Sequence, residues 1–389
     1  MDAVVVGGGV VGAACALALA REGAAVTLIE RSELAAGASG RNHGLVLSPT
    51  DPALVPMARA TLDVYREVAE EPPVPFRMDP DPIGFLVVAG DEEAERASGR
   101  AEAEAARACG VSVERVAGTS LRDLEPALAP GLAEGWLIED GRRLDPAALT
   151  VSLALLAASA GARVRRHLMV RSLRTAGGRV VGVATDEGVL DADVVVVAGG
   201  PDSGALLRPV GVDLPSVGAR GWLVHMGGAA RGPRRIVERA GWHPLPDQEA
   251  LSPARMDALA RGGRGPDVGT LVHPTVDGSF LAGGSRQGAA EPEDPVVPAS
   301  IARLAVELLP GLAEAPVLGS WWGIRPMSPD GRPMVGSVGD GLLVATGHGS
   351  QGVILAGGTG LLVAALAAGR EPSLDATPFH PGRFRTSPV

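Results

Sequence analysis

Residues 3–30 read AVVVGGGVVGAACALALAREGAAVTLIE, and this stretch decides the fold. Ala3–Val6 is a continuous apolar run, as expected of a parallel strand covered on both faces. Gly7-x-Gly9-x-x-Gly12 follows it directly, Ala13–Arg21 is a helix of Ala and Leu, and a second strand, Ala25–Ile29, ends in Glu30. Gly7 permits the tight turn, Gly9 lets a pyrophosphate approach the backbone, and Gly12 lets helix and strand pack closely. The helix N-terminus offers unpaired N–H groups and partial positive charge to phosphates. Glu30 stands 18 residues past Gly12, where a carboxylate accepts from ribose hydroxyls. The acid argues for an unphosphorylated ribose, hence FAD or NAD and not NADP, and this segment leaves those two open.

Working outward, strands and helices alternate in the manner of a doubly wound α/β fold. Pro52–Glu70 and Pro146–Ala160 read as helices with Asp51 and Asp145 as N-caps before a first-turn proline. Glu92–Cys109 reads as a helix whose alternating Glu and Arg form a solvated surface. Gly84–Ala89, Val164–Val170, Val180–Ala184 and Val189–Val197 read as strands, the last running into Gly199 and Gly200. Trp222–Met226, Leu271–Val272 and Ser279–Ala282 suggest an antiparallel sheet. Residues 227–268 are rich in Gly, Pro and Arg, with one short helix near Ser252–Arg261, and such a stretch is expected to be a lid or a mobile connection. The pieces interleave. We expect a Rossmann-type FAD-binding domain from 1–75, 140–214 and 321–389, and a discontinuous substrate domain on a mixed or antiparallel sheet from 76–139 and 215–320.

Composition removes several function classes. The 389 residues hold 45 acidic and 35 basic side chains, every basic one an Arg, for a formal charge of −10. With no basic run, a nucleic-acid footprint is not expected. Two cysteines, Cys15 and Cys109, support neither a disulfide framework nor a zinc site, so no metal is expected and a reducing, cytoplasmic setting fits. Ala3–Ala20 and Gly352–Gly369 are each 18 residues without a charge, at the lower edge of a membrane span. Each reads better as a glycine turn entering a buried helix. No membrane span is expected, and no basic segment precedes the first run to make it a leader.

Three further motifs carry chemistry. Gly37–Gly44 (GASGRNHG) supplies phosphate-competent donors in a loop soon after the second strand. In Trp321–Gly336 (WWGIRPMSPDGRPMVG), Arg325 precedes a proline among apolar residues. Its planar fork suits a carboxylate in bidentate fashion, and a structural ion pair is the competing reading. Gly347–Val353 (GHGSQGV) is a glycine turn into a helix, a second N-terminus able to face an electron-rich ring or a phosphate.

Taken in order with Leu124-Glu125-Pro126 and Leu144-Asp145-Pro146, these motifs resemble the FAD-dependent superfamily of D-amino-acid oxidases, glycine and sarcosine oxidases and D-amino-acid dehydrogenases, over residues 1–384. The resemblance implies an enzyme that oxidises the C–N bond of a small amine or amino acid to an imine by hydride transfer to flavin N5, with oxygen, a quinone or a protein as electron acceptor. It implies that Gly7, Gly9, Val10, Val11, Gly12, Glu30 and Arg31 hold the ADP half of FAD. Ser39, Arg41, Asn42, His43 and Gly44 would line the pyrophosphate and the flavin approach, Val170 the adenine side, and Ala198 and Gly199 the flank of the cofactor. Gly349, Ser350, Gln351, Gly352 and Val353 would meet the flavin edge, and Arg325 would grip the substrate carboxylate. Relatives place tyrosines beside that carboxylate, whereas Tyr65 is the only Tyr here. Arg325 then needs another donor, with His43, Trp222, His225 and His273 as candidates, and His43 is taken with Arg325 as catalytic. No Cys follows Cys109, and Arg41 stands where relatives attach flavin through His, so the FAD is expected to be noncovalent. A flavin-dependent oxidation of a hydroxy acid or of a specialised-pathway amine, and an NAD-dependent dehydrogenase, are the alternatives.

Overall fold

The computed structural model describes residues 1–242, 252–261 and 267–384. Asp2–Val6 pairs in parallel with Ala25–Ile29 on one side and Val194–Val197 on the other. Around this centre six strands are ordered Met334–Gly339, Leu342–Thr346, Val194–Val197, Asp2–Val6, Ala25–Ile29, Arg163–Arg165, with only the first pair antiparallel. Val4–Val6 and Val195–Val197 are buried, which is why these runs carry no polar residue. Helices Val10–Arg21, Pro146–Ser159 and Gly352–Ala367 cover the sheet, and both predicted aspartate caps form: Asp51 accepts from Ala53 N–H and Asp145 from Ala147 and Ala148.

Helix Gly352–Ala367 is apolar because it is enclosed by protein. A Cβ on Gly358 would stand 2.4 Å from the Met57 carbonyl, and one on Gly360 2.5 Å from that of Ala14. The small residues thus let two other helices approach its backbone. The buried Tyr65 hydroxyl donates to the Val353 carbonyl over 2.6 Å, so the sole tyrosine pins this helix's first turn to helix Val55–Glu70 and does not reach the cleft. Among the described residues no helix is long and apolar enough to cross a membrane.

The second layer is an eight-stranded sheet ordered Val317–Met327, Val217–Met226, Phe280–Gly288, Asp267–Pro274, Ile236–Arg239, Phe85–Ala89, Glu134–Ile138, Val113–Ala117. It is antiparallel except where Ile236–Arg239 runs parallel to Phe85–Ala89. Helix Val296–Leu308 covers one face through Val297, Ile301 and Leu308, which pack with Trp222, Val224 and Met226. The alternate residues, Gly221 and Leu223, turn to the opposite face, toward the six-stranded sheet.

Several boundaries differ from the sequence reading. Val164–Val170 is two strands, Arg163–Arg165 and Val170–Ala176, in different sheets, because the chain turns at His167 with φ +55°. Val189–Val197 divides likewise. Gly188–Asp191 ends a three-stranded sheet, and Asp193 N–H then bonds to Asp2 as the chain joins the six-stranded one. Helix Glu93–Ala108 is not merely solvated: Gly99 lies against Trp136, where a Cβ would meet the indole at 2.1 Å. Within 227–268 the strand Ile236–Arg239 and helix Pro253–Arg261 are ordered, while 243–251 and 262–266 lie outside the described residues.

Candidate active site

Between the two large sheets lies a cavity of about 1110 Å³, larger than the roughly 300–1000 Å³ usual for small-molecule sites. It opens beyond the carboxyl ends of the parallel strands, where doubly wound folds bind ligands. At one end are Gly7, Gly9, Val10, Val11, Glu30 and Arg31, and Val170, Ala198 and Gly199 line it beside them. Gly7 has φ +116°, and a Cβ there would stand 2.4 Å from the Ala198 carbonyl. Gly12 is outside the lining. Its Cβ would fall 1.9 Å from the Gly7 carbonyl, so its part is packing.

Glu30 is held from three directions. Gly8 N–H donates to its Oε2 over 2.7 Å, and the Ser32 N–H and hydroxyl donate to Oε1 over 2.9 and 3.0 Å. A carboxylate has about four acceptor positions, so this one is fixed in place with room for one further donor. Arg31 lies across Asp202 at 2.8 Å.

The Gly37–Gly44 loop is tied to the opening helix, since Ser39 Oγ accepts from Val10 N–H over 2.9 Å. The Asn42 amide bridges the Ala38 and Ser39 carbonyls and accepts from Gly44 N–H, so Asn42 shapes the loop from within. Ser39, Arg41, Asn42 and His43 line the cavity. Gly44 does not: its φ of +66° allows contact with the Leu144 carbonyl, 2.1 Å from a would-be Cβ. Gly349–Val353 enter from the far wall, with the N-terminus of helix Gly352–Ala367 directed at the cavity and no acidic residue in its first turn. Just before that helix, the buried His348 shares a hydrogen bond with the Thr359 hydroxyl over 3.0 Å.

The other end is built on bare backbone. The Arg325 guanidinium lies across Gly221, where a Cβ would be 2.0 Å from Nη1, and Nη1 donates to the Ser285 carbonyl over 3.0 Å. His43 lies on Gly283, 2.7 Å from its would-be Cβ, and Trp242 lies on Gly269, 1.8 Å from its own. His43 and His273 stand 5.2 Å apart, ring centre to ring centre. His273 Nδ1 donates to the Pro274 carbonyl over 3.0 Å, leaving Nε2 as an acceptor. Neither that Nε2 nor the buried His43 Nδ1 has a hydrogen-bond partner among the described residues.

Burial, with His273 and Arg325 nearby, holds His43 well below the usual histidine range, and burial holds His273 down at about 4 and His348 at about 3. All three are neutral at physiological pH. Of the other candidate helpers, His225 is bonded to Ser279 Oγ at 2.7 Å and Trp222 faces the opposite side of the sheet. Trp242, Leu271 and Arg286 also line the cavity and were not singled out by the sequence reading. Trp242 sits in a stretch without periodicity, and Arg286 lies beyond the predicted end of its strand.

The depressed histidine values have a consequence for stability. In the unfolded chain these side chains protonate below about pH 6.5, while in the fold they stay neutral further down. The unfolded state therefore binds more protons, and stability falls as pH drops from about 6.5 toward 4, on the order of 1 kcal/mol per pH unit for each group. Thermal melts should show Tm declining between pH 7 and 5, with the decline reduced in His348→Gln. An unchanged Tm over that interval would contradict the assignment.

Comparison with known proteins gives a consistent result. A family model described as FAD dependent oxidoreductase (DAO) matches residues 2–366. A glycine oxidase of Pseudomonas putida KT2440 is 30% identical over 390 residues, 97% of this chain and 97% of its own length. A D-amino acid dehydrogenase of Cereibacter sphaeroides is 30% identical over 285 residues, covering 72% of this chain and 60% of that protein. The crystal structure of glycine oxidase from Geobacillus kaustophilus superposes with a TM-score of 0.84 at 26% identity, covering 99% of each chain.

Proposed function

Because the chain belongs to the family of FAD-dependent oxidoreductases, we propose that it oxidises the C–N bond of a small amino acid or amine to an imine. The observation that carries this is Arg325, laid across Gly221 at the inner end of the cavity where its fork can take a carboxylate. The cavity also fits the coenzyme. Its lining runs from Glu30 to Arg325 around about 1110 Å³, its glycine turn admits no Cβ, and Glu30 keeps one acceptor position for a ribose hydroxyl. In this reading Gly7, Gly9 and Glu30 hold the ADP half noncovalently, Ser39 and Arg41 border the pyrophosphate, and the first turn of helix Gly352–Ala367 places its partial positive charge beside the ring. Bound FAD supplies the hydride acceptor.

The side chains orient and desolvate. Arg325 fixes the carboxylate, and His43, neutral and lining the cavity, gives the amine or carboxylate a hydrogen bond without competing for a proton. Leu223, Leu271 and Trp242 keep water from the reacting carbon. Among the described residues, His43 and His273 are too weakly basic to take a proton at neutral pH, and in this reading the amine arrives neutral. In the division we propose, 1–75, 140–214 and the segment from 321 carry the coenzyme, and 76–139 and 215–320 carry the substrate. Strand Val317–Met327, bonded to Val217–Met226, spans that boundary. A cytoplasmic setting suits the two buried cysteines.

Anaerobic mixing with D- and L-amino acids, glycine, sarcosine and proline tests this directly: flavin absorbance should bleach with at least one of them. The rate of bleaching should rise with pH through the substrate's own amine pKa. No bleaching with any amine removes the proposal, and a flat profile removes the requirement for a neutral amine.

A further inference from the structure

Arg143 lies in the short strand Arg142–Arg143, just past the point where the chain passes from one proposed unit to the other. This strand pairs with Leu45–Val46, Leu45 opposite Arg143, and Leu144 N–H donates to the Gly44 carbonyl over 2.7 Å. The end of the loop that carries His43 is thereby fixed through main chain alone. On the other side Asp79 N–H donates to the Arg143 carbonyl over 2.9 Å, and the Asp79 carboxylate accepts from Arg143 N–H over 2.8 Å. The same carboxylate takes the side chain in bidentate fashion, Nε at 2.7 Å and Nη2 at 2.8 Å. Nη1 is left to donate to the carbonyls of Pro274 and Thr275, over 3.2 and 3.4 Å. The Pro274 carbonyl is also the acceptor for His273 Nδ1, at 3.0 Å.

One residue thus holds both histidines from behind, one through its backbone and the other through its guanidinium. We propose that Arg143 is a positioning residue for the oxidation: it sets His273 against His43 and so fixes where His43 meets the substrate. This rests on the amine reading above and adds to it a residue outside the cavity lining. A carbonyl oxygen offers two lone pairs, enough for the guanidinium and the imidazole together, and sharing it keeps the His273 proton on Nδ1. The two rings, 5.2 Å apart, then hold one arrangement. The Arg143 and Asp79 side chains are 19% and 15% exposed, so the pair is shielded and its planar fork imposes direction as well as charge. Lysine could reach the carboxylate or the carbonyls but could not hold both in one plane. Among the described residues, the charged and titratable groups acting on His273 are Arg143, Asp79 and His43, and Arg325 acts on His43 in turn. Burial holds His273 down at about 4, the Arg143 cation works in the same direction, and Asp79 works against both.

The test uses the FAD-loaded enzyme. Arg143→Gln should slow flavin reduction by the amine substrate about 30-fold, the scale of a slightly misplaced reacting geometry, while affinity for a non-reacting carboxylate held by Arg325 changes less than about threefold. A residue that only supported the fold would lower Tm without separating these two quantities. Arg143→Lys keeps the charge and some donors and should recover part of the lost rate. Should Arg143→Gln fail to fold, Asp79→Asn, which keeps the guanidinium but loosens its clamp, should show the same separation at about fivefold. A second readout needs no turnover. In histidine-selective NMR of the wild type, His273 should carry its proton on Nδ1. In Arg143→Gln the loss of the cation, with Asp79 left unopposed, should raise the His273 midpoint by about one pH unit. Equal losses of reduction rate and carboxylate affinity, an unmoved His273 midpoint, or a wild-type proton on Nε2 would each overturn the proposal. If no amine reduced the flavin, the amine reading would fail while the histidine titration still decided the role of Arg143.

Discussion

Replacing Arg325 by Leu is expected to lower kcat/KM for carboxylate-bearing substrates by about 100- to 1000-fold. The basis is the 2–5 kcal/mol typical for removing one partner of a buried, hydrogen-bonded charge pair, at 1.4 kcal/mol per tenfold. The flavin should stay bound, because Arg325 sits on the wall remote from Glu30. Lys should not restore the activity, since a point charge lacks the planar pair of donors. Gly221→Ala provides an independent route to the same defect. Its methyl would stand 2.0 Å from Arg325 Nη1, so the guanidinium must leave its place although the charge remains. Rapid-reaction reduction together with titration of a non-reacting carboxylate ligand measures both variants, and wild-type affinity in either would remove Arg325 from the carboxylate role.

Gly12→Ala should yield protein without bound FAD. The new methyl would lie 1.9 Å from the Gly7 carbonyl, a backbone atom that cannot swing aside, so the turn that cradles the pyrophosphate must open. Overpacking of this kind costs about 1–3 kcal/mol or more in stability, and the binding loss adds to it. Absorbance near 450 nm (roughly, for a bound flavin) and Tm report the two effects separately. Glu30→Gln is the milder companion. It keeps the shape but removes the charge that accepts from Gly8 and Ser32, and it should weaken FAD by about tenfold while the protein still folds. Full coenzyme content in Gly12→Ala would overturn this view of the turn.

What could be read from the sequence is what is encoded locally. The strand, glycine turn, helix and acid of residues 3–30 impose their geometry within about thirty residues, and Arg325 beside Pro326 announced itself as a cation in an apolar setting. The inner end of the cavity was illegible because it exists only through pairing between distant strands. Trp242 acquires a role when Gly269 and Gly284 come to lie beneath it, and His273 when strand Asp267–Pro274 brings it to His43. The splitting of Val164–Val170 and Val189–Val197 has the same origin. Both segments carry polar residues between their valines, Arg165–His167 in one and Asp191 and Asp193 in the other, but a strand edge tolerates such residues too; a left-handed residue such as His167 is what moves the chain to another sheet.

The glycines under Arg325, His43 and Trp242 mean that the floor of the pocket is main chain and its furniture is borrowed from elsewhere. Efforts to redirect the enzyme toward new substrates should therefore leave positions 221, 269 and 283 untouched in any library, since a methyl at each meets a neighbouring side chain at 2.7 Å or less. Diversity belongs at Leu223, Leu271 and Arg286, whose side chains face the cavity from the same sheet and can be exchanged without lifting what rests on the backbone.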